Sequence, residues 1–448
     1  MSSLVNVLLI LLHLSTSVRG HHGCGGGEIM RRNLGGKLIE RTSPTDEASA
    51  AAIQDITQEC TPYSYAPLLQ LAPLYPTTWE TASILPNDTD ALALFQQISQ
   101  TISSNPSFNL APKGTPEGDF SAVQYNGTDV DCWWPWQGCT QPAPQTGLPD
   151  DITSVPEGET WGLGFDDGPN CSHNALYDFL LEQNQKATVF YIGSNVYDWP
   201  LQSMRAIKDG HHVCVHTWSH QYMTAFTNDV AFAELYYARQ IIKDILGVTP
   251  LCWRPPYGNV DNRIRAIAEG LNLTTIIWSD DTNDWKVGDP TANVTQADVD
   301  AAYQIVVKGA TNGTYKSTGP VVLNHELNNF TMSEFIKEYP SMKSAFTHIV
   351  PMAAAMNWTH PYVEQNIVYP DFAAYIGGQT NVTIGPSITS SASASKTSTP
   401  GIQSGSASVS GGSNSTAGEK NKEGQGSGAI RFTINWNLLY LLLFAFVL

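Results

Sequence analysis

The stretch Thr160-Trp161-Gly162-Leu163-Gly164-Phe165-Asp166-Asp167-Gly168-Pro169 decides the fold. Thr160–Phe165 is mostly apolar and reads as a strand, and it runs straight into two adjacent carboxylates and a Gly-Pro turn. Outward from it the pattern repeats. Asn174–Gln183 reads as a helix and Ala187–Ile192 as the next strand. His212–Val215, Pro250–Arg254, Thr274–Ser279 and Val321–Asn324 are further strands, with helices over Phe232–Leu246 and Asn262–Glu269. Repeated strand–helix alternation builds a parallel sheet covered by helices, and the predicted class is α/β, with a span of residues 159–355 that suits a (β/α) barrel.

In such barrels the chemistry sits at the C-terminal ends of strands, and five short motifs stand there in order. Asp166 and Asp167 are costly side by side unless a cation lies near. One suits a metal ligand and the other a base, although a solvated Asp-Gly-Pro turn would account for the same letters. In His216-Thr217-Trp218-Ser219-His220 two histidines four apart can face one metal from a helical turn. Of the preceding pair, His211 and His212, one reads as a structural histidine within the sheet. Trp253-Arg254-Pro255-Pro256-Tyr257-Gly258 puts an arginine where burial demands an acidic partner. Its prolines fix the backbone so that the Tyr257 amide can serve as an oxyanion donor, or simply make a tight turn. Asp280-Asp281-Thr282-Asn283-Asp284-Trp285 adds carboxylates, and Val322-Leu323-Asn324-His325-Glu326 adds a strand-end histidine suited to general-acid work. Singly, each motif has a plain structural explanation. Together they offer an Asp-His-His set that leaves a metal one open position for water, the mark of a catalytic rather than a structural site.

These residues resemble the polysaccharide deacetylase family, the carbohydrate esterases with a NodB homology domain, and within it the fungal branch that acts on chitin. Lys186–Gly193 and Gly210-His211-His212 add to the resemblance, which covers roughly Glu159–Pro351, under half of the chain. It implies a distorted, incomplete (β/α) barrel and metal-dependent hydrolysis of N-acetyl groups on chitin or chitin oligomers. The implied metal ligands are Asp167, His216 and His220, for a divalent cation, zinc with cobalt as the alternative. The resemblance makes Asp166 the base, with Arg254 to orient it, and His325 the acid, with Asp281, ahead of Asp284, to hold it protonated. Tyr257 would stabilise the oxyanion, and Trp285 and Leu323 would wall the acetyl pocket. Gly164, where the family usually has Thr or Ser, and Glu326, where Asp is frequent, depart from the pattern without removing a ligand, acid or base. Peptidoglycan and acetylated xylan are the rival substrates. A glycan-binding wall protein or an adhesin on the same fold is the rival class, and neither needs a complete metal site.

The rest of the chain sets the context. A formal charge of −18 disfavours nucleic acid, whose phosphates call for lysine and arginine. The apolar run Leu4–Leu14 reads as a secretory leader over residues 1–20. Small residues about Gly426 and Ser427, a spacer, and the apolar tail Leu438–Leu448 read as a glycosylphosphatidylinositol signal over 429–448, with Asn414 as another attachment candidate. The tail is about half the ~20 residues that a spanning helix needs. The expected setting is therefore secreted, anchored in the cell membrane through a lipid, with linkage to wall glucan as a further possibility. Sequons at Asn87, Asn126, Asn170, Asn272, Asn293, Asn312, Asn329, Asn357, Asn381 and Asn414 suit a secreted glycoprotein. Seven cysteines favour disulfides, with Cys132–Cys139 as a local pair and one sulfur left over. Residues 21–150 read as an N-terminal extension whose Trp133, Trp134 and Trp136 either pack on the main domain or touch glycan. Residues 356–386 read as a C-terminal extension of the domain, and the Ser/Gly-rich 387–428 as a stalk.

Overall fold

A computed structural model describes residues 43–125 and 128–385. The leader, Cys24, Asn126, the stalk, the tail and the attachment candidates Asn414, Gly426 and Ser427 lie outside the described residues. Nine strands form one sheet: β1 Ser154–Val155, β2 Thr160–Gly168, β3 Thr188–Tyr191, β4 His212–Val215, β5 Cys252–Trp253, β6 Thr274–Thr275, β7 Asp280–Asp281, β8 Gly319–Leu323 and β9 His348–Pro351. The order is β1-β8-β2-β3-β4-β5-β6, with β7 also on β8 and β9 also on β2. All pairings except β1 with β8 are parallel. The sheet curls back on itself, because the chain leaving β6 re-pairs with β8 as β7. A bridge between Ile152 and Ile276 spans the remaining gap. Closure by two-residue strands and a single bridge makes this an α/β barrel that is distorted and incomplete.

The central strand β2 is buried along its whole length, with Trp161, Leu163 and Phe165 in the core. Helices Asn174–Glu182, Asn228–Leu246 and Asn262–Gly270 cover the outside. Two more, Gln296–Asn312 and Asn329–Ala345, stand where the apolar pattern predicts no element. Both start at side-chain capping boxes, at Thr295 and Asn328, and the second carries Pro340 in its interior. Of the strand predicted over Thr274–Ser279 only Thr274–Thr275 forms, and irregular chain leads from it to β7 at Asp280–Asp281.

Residues 43–151 contribute to the same core as the barrel. Helix Thr89–Ser104 buries Ala91, Ile98 and Ile102, and it approaches Gly270 so closely that a Cβ there would meet Ile98 at 2.6 Å. Tyr75 stacks on Trp218 with ring planes 5° apart. Disulfides join Cys60 to Cys171, Cys132 to Cys139 and Cys214 to Cys252. Among the described sequons, Asn87, Asn272, Asn293, Asn312, Asn329, Asn357 and Asn381 are exposed. Asn170 is half-buried, and its amide donates to the Leu327 carbonyl at 2.6 Å.

Candidate active site and metal centre

Strand register brings the motifs to one level. His216 N donates to Tyr191 O, Arg254 N to Val215 O, Asp166 N to Asn324 O and Glu326 N to Asp166 O, all at 2.8–3.0 Å. Asp166 and His325 therefore stand on neighbouring segments joined by a parallel bridge. A regular strand would send Asp167 to the face opposite Asp166. The register shift between Asp166 and Gly168 and a left-handed Asp167 (φ 70°) re-aim it to the same mouth. The Asn195 amide holds this bend by donating to Asp167 O at 2.8 Å.

The two histidines do not come from a helical turn, as their spacing suggests. They sit on an irregular loop in which Thr217 and His220 both have positive φ. His220 Nε2 lies 3.0 Å and His216 Nε2 3.3 Å from Asp167 Oδ1. His216 Nδ1 is 2.7 Å from the Arg254 carbonyl, so that nitrogen carries the proton and Nε2 offers its lone pair to the mouth. Asp167 Oδ1 is buried and has no hydrogen-bond partner. Burial opposes its charge, but the nearby His220 and His325 hold the carboxyl well below the usual range. An orphaned anionic oxygen facing two imidazoles at these separations fits a shared cation with ligand distances of about 2 Å. A second cluster, His212, Cys214 and Cys252, is no such centre, because both sulfurs are in a disulfide. His211 and His212 are both buried, and burial pushes each down to about 3, so they are neutral core histidines.

Arg254 is fully buried, donating from one terminal nitrogen to Asp166 Oδ1 at 2.6 Å and lying 4.0 Å from the centre of the Phe190 ring. Gly164 gives this pair room: a Cβ there would press on Phe190 at 3.1 Å and lie 3.8 Å from the guanidinium. Tyr257 has φ 57°, a strained conformation for a non-glycine residue. Its ring packs on His220 and stacks on Tyr222.

The partner of His325 is Asp284, not Asp281. Asp284 Oδ1 is 2.6 Å from His325 Nδ1, and its other oxygen accepts from the His325 amide at 2.9 Å. Left-handed Asn283 (φ 57°) swings Asp284 inward, while Asp281 accepts from Asn283 N at 2.7 Å and Trp285 Nε1 at 3.5 Å. Burial lowers the His325 pKa, but Asp284, Asp167 and Asp166 more than offset it and raise it to about 10. Trp285 lies beside His325, with ring centroids 6.4 Å apart, and Leu323 is buried at the end of β8.

Two buried carboxylates support the site from outside the mouth, in roles that the sequence reading does not assign. Glu234, in helix Asn228–Leu246, accepts from Trp218 N, Ser219 N, the Ser219 hydroxyl and Ala82 N, gripping the histidine loop from behind. Glu326 is fully buried and ties Asn170 N, His173 and Tyr177 beneath the Asp-Asp turn. Glu326 closes the fifth motif. Glu234 lies inside an amphipathic helix, and only tertiary packing assigns it to the loop.

The profile of the polysaccharide deacetylase family matches residues 154–276. The chain is 61% identical over 362 residues to chitin deacetylase 2 of Cryptococcus neoformans var. grubii, covering 81% of this chain and 79% of that protein. It is 42% identical over 342 residues to the chitin deacetylase of Amylomyces rouxii, covering 75% and 77%. The solved chitin deacetylase of Colletotrichum lindemuthianum aligns over 46% of this chain and 92% of its own at 21% identity, with a TM-score of 0.42. With five motifs gathered at one barrel mouth and identity of this extent along both chains, the protein belongs to the polysaccharide deacetylase family.

Proposed function

We propose that this enzyme hydrolyses the acetamide of N-acetylglucosamine units in chitin, yielding chitosan and acetate. The observation that carries the reading is the placement of Asp166 and His325 side by side at the mouth that Asp167, His216 and His220 also face. Asp167 and the two histidines hold a divalent cation, and one carboxylate with two imidazoles suits zinc, with cobalt as a substitute. When bound, the cation supplies Lewis acidity that acidifies water and polarises the acetyl carbonyl. Asp166 Oδ2 accepts the proton of the attacking water, while Arg254 occupies Oδ1 and fixes the carboxylate's orientation. Tyr257 N–H donates to the oxyanion. An amine leaves poorly unless its nitrogen is protonated, and His325 Nε2 delivers that proton because Asp284 binds Nδ1. Trp285 and Leu323 bound the acetyl pocket. The chain acts outside the cell, held to the membrane by a lipid anchor or passed on to wall glucan, with glycans on its exposed sequons. Three disulfides support an oxidising compartment. No helix among the described residues is long and apolar enough to cross a membrane.

The test is acetate release from chitin oligomers and from acetylated xylan, with and without chelator. Metal-dependent release from chitin oligomers is expected. No release after the metal is restored defeats the reading, and faster release from xylan moves it to O-deacetylation.

A further inference from the structure

An aromatic path leads away from the histidine loop. Tyr257 packs on His220 with centroids 4.8 Å apart and stacks on Tyr222 at 4.1 Å, and Tyr222 meets Phe120 at 5.3 Å. Phe120 meets Trp133 at 5.4 Å, and Tyr125 joins Trp133 to Trp136 at 5.3 and 5.1 Å. Both ends are open: Tyr257 is 41% and Trp136 47% exposed. Phe120, Val123, Pro135 and Trp136 line a shallow apolar hollow at the outer end, with Trp133 as its floor.

The loop that carries Trp136 is held rigidly. Cys132 and Cys139 close it, and buried Arg265 donates to the carbonyls of both at 2.7 and 3.0 Å while pairing with Asp151. Trp134 seats against Trp278 and over Gly258, where a Cβ would come within 2.4 Å of its ring. Gly258 follows Tyr257 directly, so this loop is braced against the loop of the catalytic mouth. Bracing of this kind is not needed to leave an indole in water. It pre-orders a flat apolar plate, which lowers the entropy cost of binding a ligand there.

We propose that the hollow around Trp136 is an outer subsite for a β-linked N-acetylhexosamine chain that runs out of the catalytic mouth along this path. A pyranose ring with equatorial substituents presents a face of axial C–H bonds that covers an aromatic plate, and it is neutral, as an apolar hollow requires. The subsite rests on the function proposed above, since that reading places a polymer at the mouth.

Two measurements test it. First, kcat/KM for acetate release is compared between the N-acetylglucosamine hexamer and dimer in wild type, Trp136→Ala and, as a remote exposed control, Leu69→Ala. Stacking of one sugar is expected to make Trp136→Ala about tenfold worse on the hexamer, through KM, with the dimer unchanged. Second, hexamer binding is measured calorimetrically on Asp166→Asn, with and without Trp136→Ala, so that no turnover intervenes. Loss of affinity specific to Trp136→Ala supports the subsite even if wild type releases no acetate, in which case the function reading falls instead. Equal length dependence in wild type and Trp136→Ala, or unchanged hexamer affinity, overturns the subsite while leaving the function intact.

Discussion

Asp166 and Asp167 adjoin in sequence yet face different partners, and the difference follows from a single left-handed residue. Asp166 keeps strand geometry and meets Arg254, whereas Asp167 turns to the two imidazoles. Asp166→Asn keeps an acceptor for Arg254 but cannot take a proton. Acetate release should fall about 10²–10⁴-fold, with the cation retained as read by elemental analysis; near-normal turnover would remove Asp166 as base. The same variant leaves a fully buried guanidinium without its anion, so its melting temperature should also drop. In the proposed mechanism His325 carries the pH dependence. Its raised pKa keeps it protonated through neutral pH, and the acid is lost as pH rises through the folded value, about 10 in the protein alone. A cation beside Asp167 pulls that value down, so the basic limb of kcat/KM should lie below about 10. Asp284→Asn removes the largest influence that raises it, and the limb should then move acidward; a profile unchanged from wild type would dissociate Asp284 from His325. That Asp284, rather than Asp281, does this was not legible in the sequence. Both follow the strand predicted over Thr274–Ser279, and the choice is made by positive φ at Asn283, which no side-chain pattern announces.

At the level of elements, β2, β4, β5 and β8 were legible because each is an apolar run ending at a chemical motif; β1 and β7, two residues each, and β9, His348–Pro351, carry no such signal. Helices Gln296–Asn312 and Asn329–Ala345 were not legible, since exposed small and polar residues break their apolar face and proline interrupts the second. Spacing of four suits a helical turn, but two positive-φ residues instead bend a loop that brings both imidazoles to Asp167. Such a loop needs outside support, and helix Asn228–Leu246 gives it through Glu234. Its two oxygens accept from four donors at 2.7–3.0 Å, and burial raises its pKa despite them. Glu234→Gln keeps the volume but turns an NH₂ group against at least one of those donors. Cation affinity should fall about 10–100-fold, as for other supports of metal ligands, measured by competition with a chelator. An unchanged affinity would reduce Glu234 to a packing role.

Over the whole molecule, residues 43–151 are a structural partner of the histidine loop as much as an extension. Two of the connections from this segment to the site side of the barrel act differently. The Cys60–Cys171 disulfide, which joins residues at a sequence separation of 111, restricts the unfolded chain. A loop of that length is worth about 4–5 kcal/mol in the chain-entropy account. Tyr75 acts in the folded state: its ring stacks on Trp218, and Trp218 Nε1 donates to Thr77 O at 3.0 Å from the middle of the histidine loop. Replacing both Cys60 and Cys171 with alanine should therefore lower the melting temperature by many degrees and leave the cation affinity of the folded protein close to wild type. Tyr75→Ala opens a cavity under Trp218 at a cost of about 3–5 kcal/mol. It should lower both the melting temperature and the cation affinity, because it frees the chain between His216 and His220. Melting curves with and without added zinc separate the two. The gap between the curves should persist in the disulfide variant and narrow in Tyr75→Ala, since a ligand stabilises in proportion to how far its concentration exceeds Kd. The opposite pattern would place the support of the histidine loop in the covalent link and not in the stacked rings.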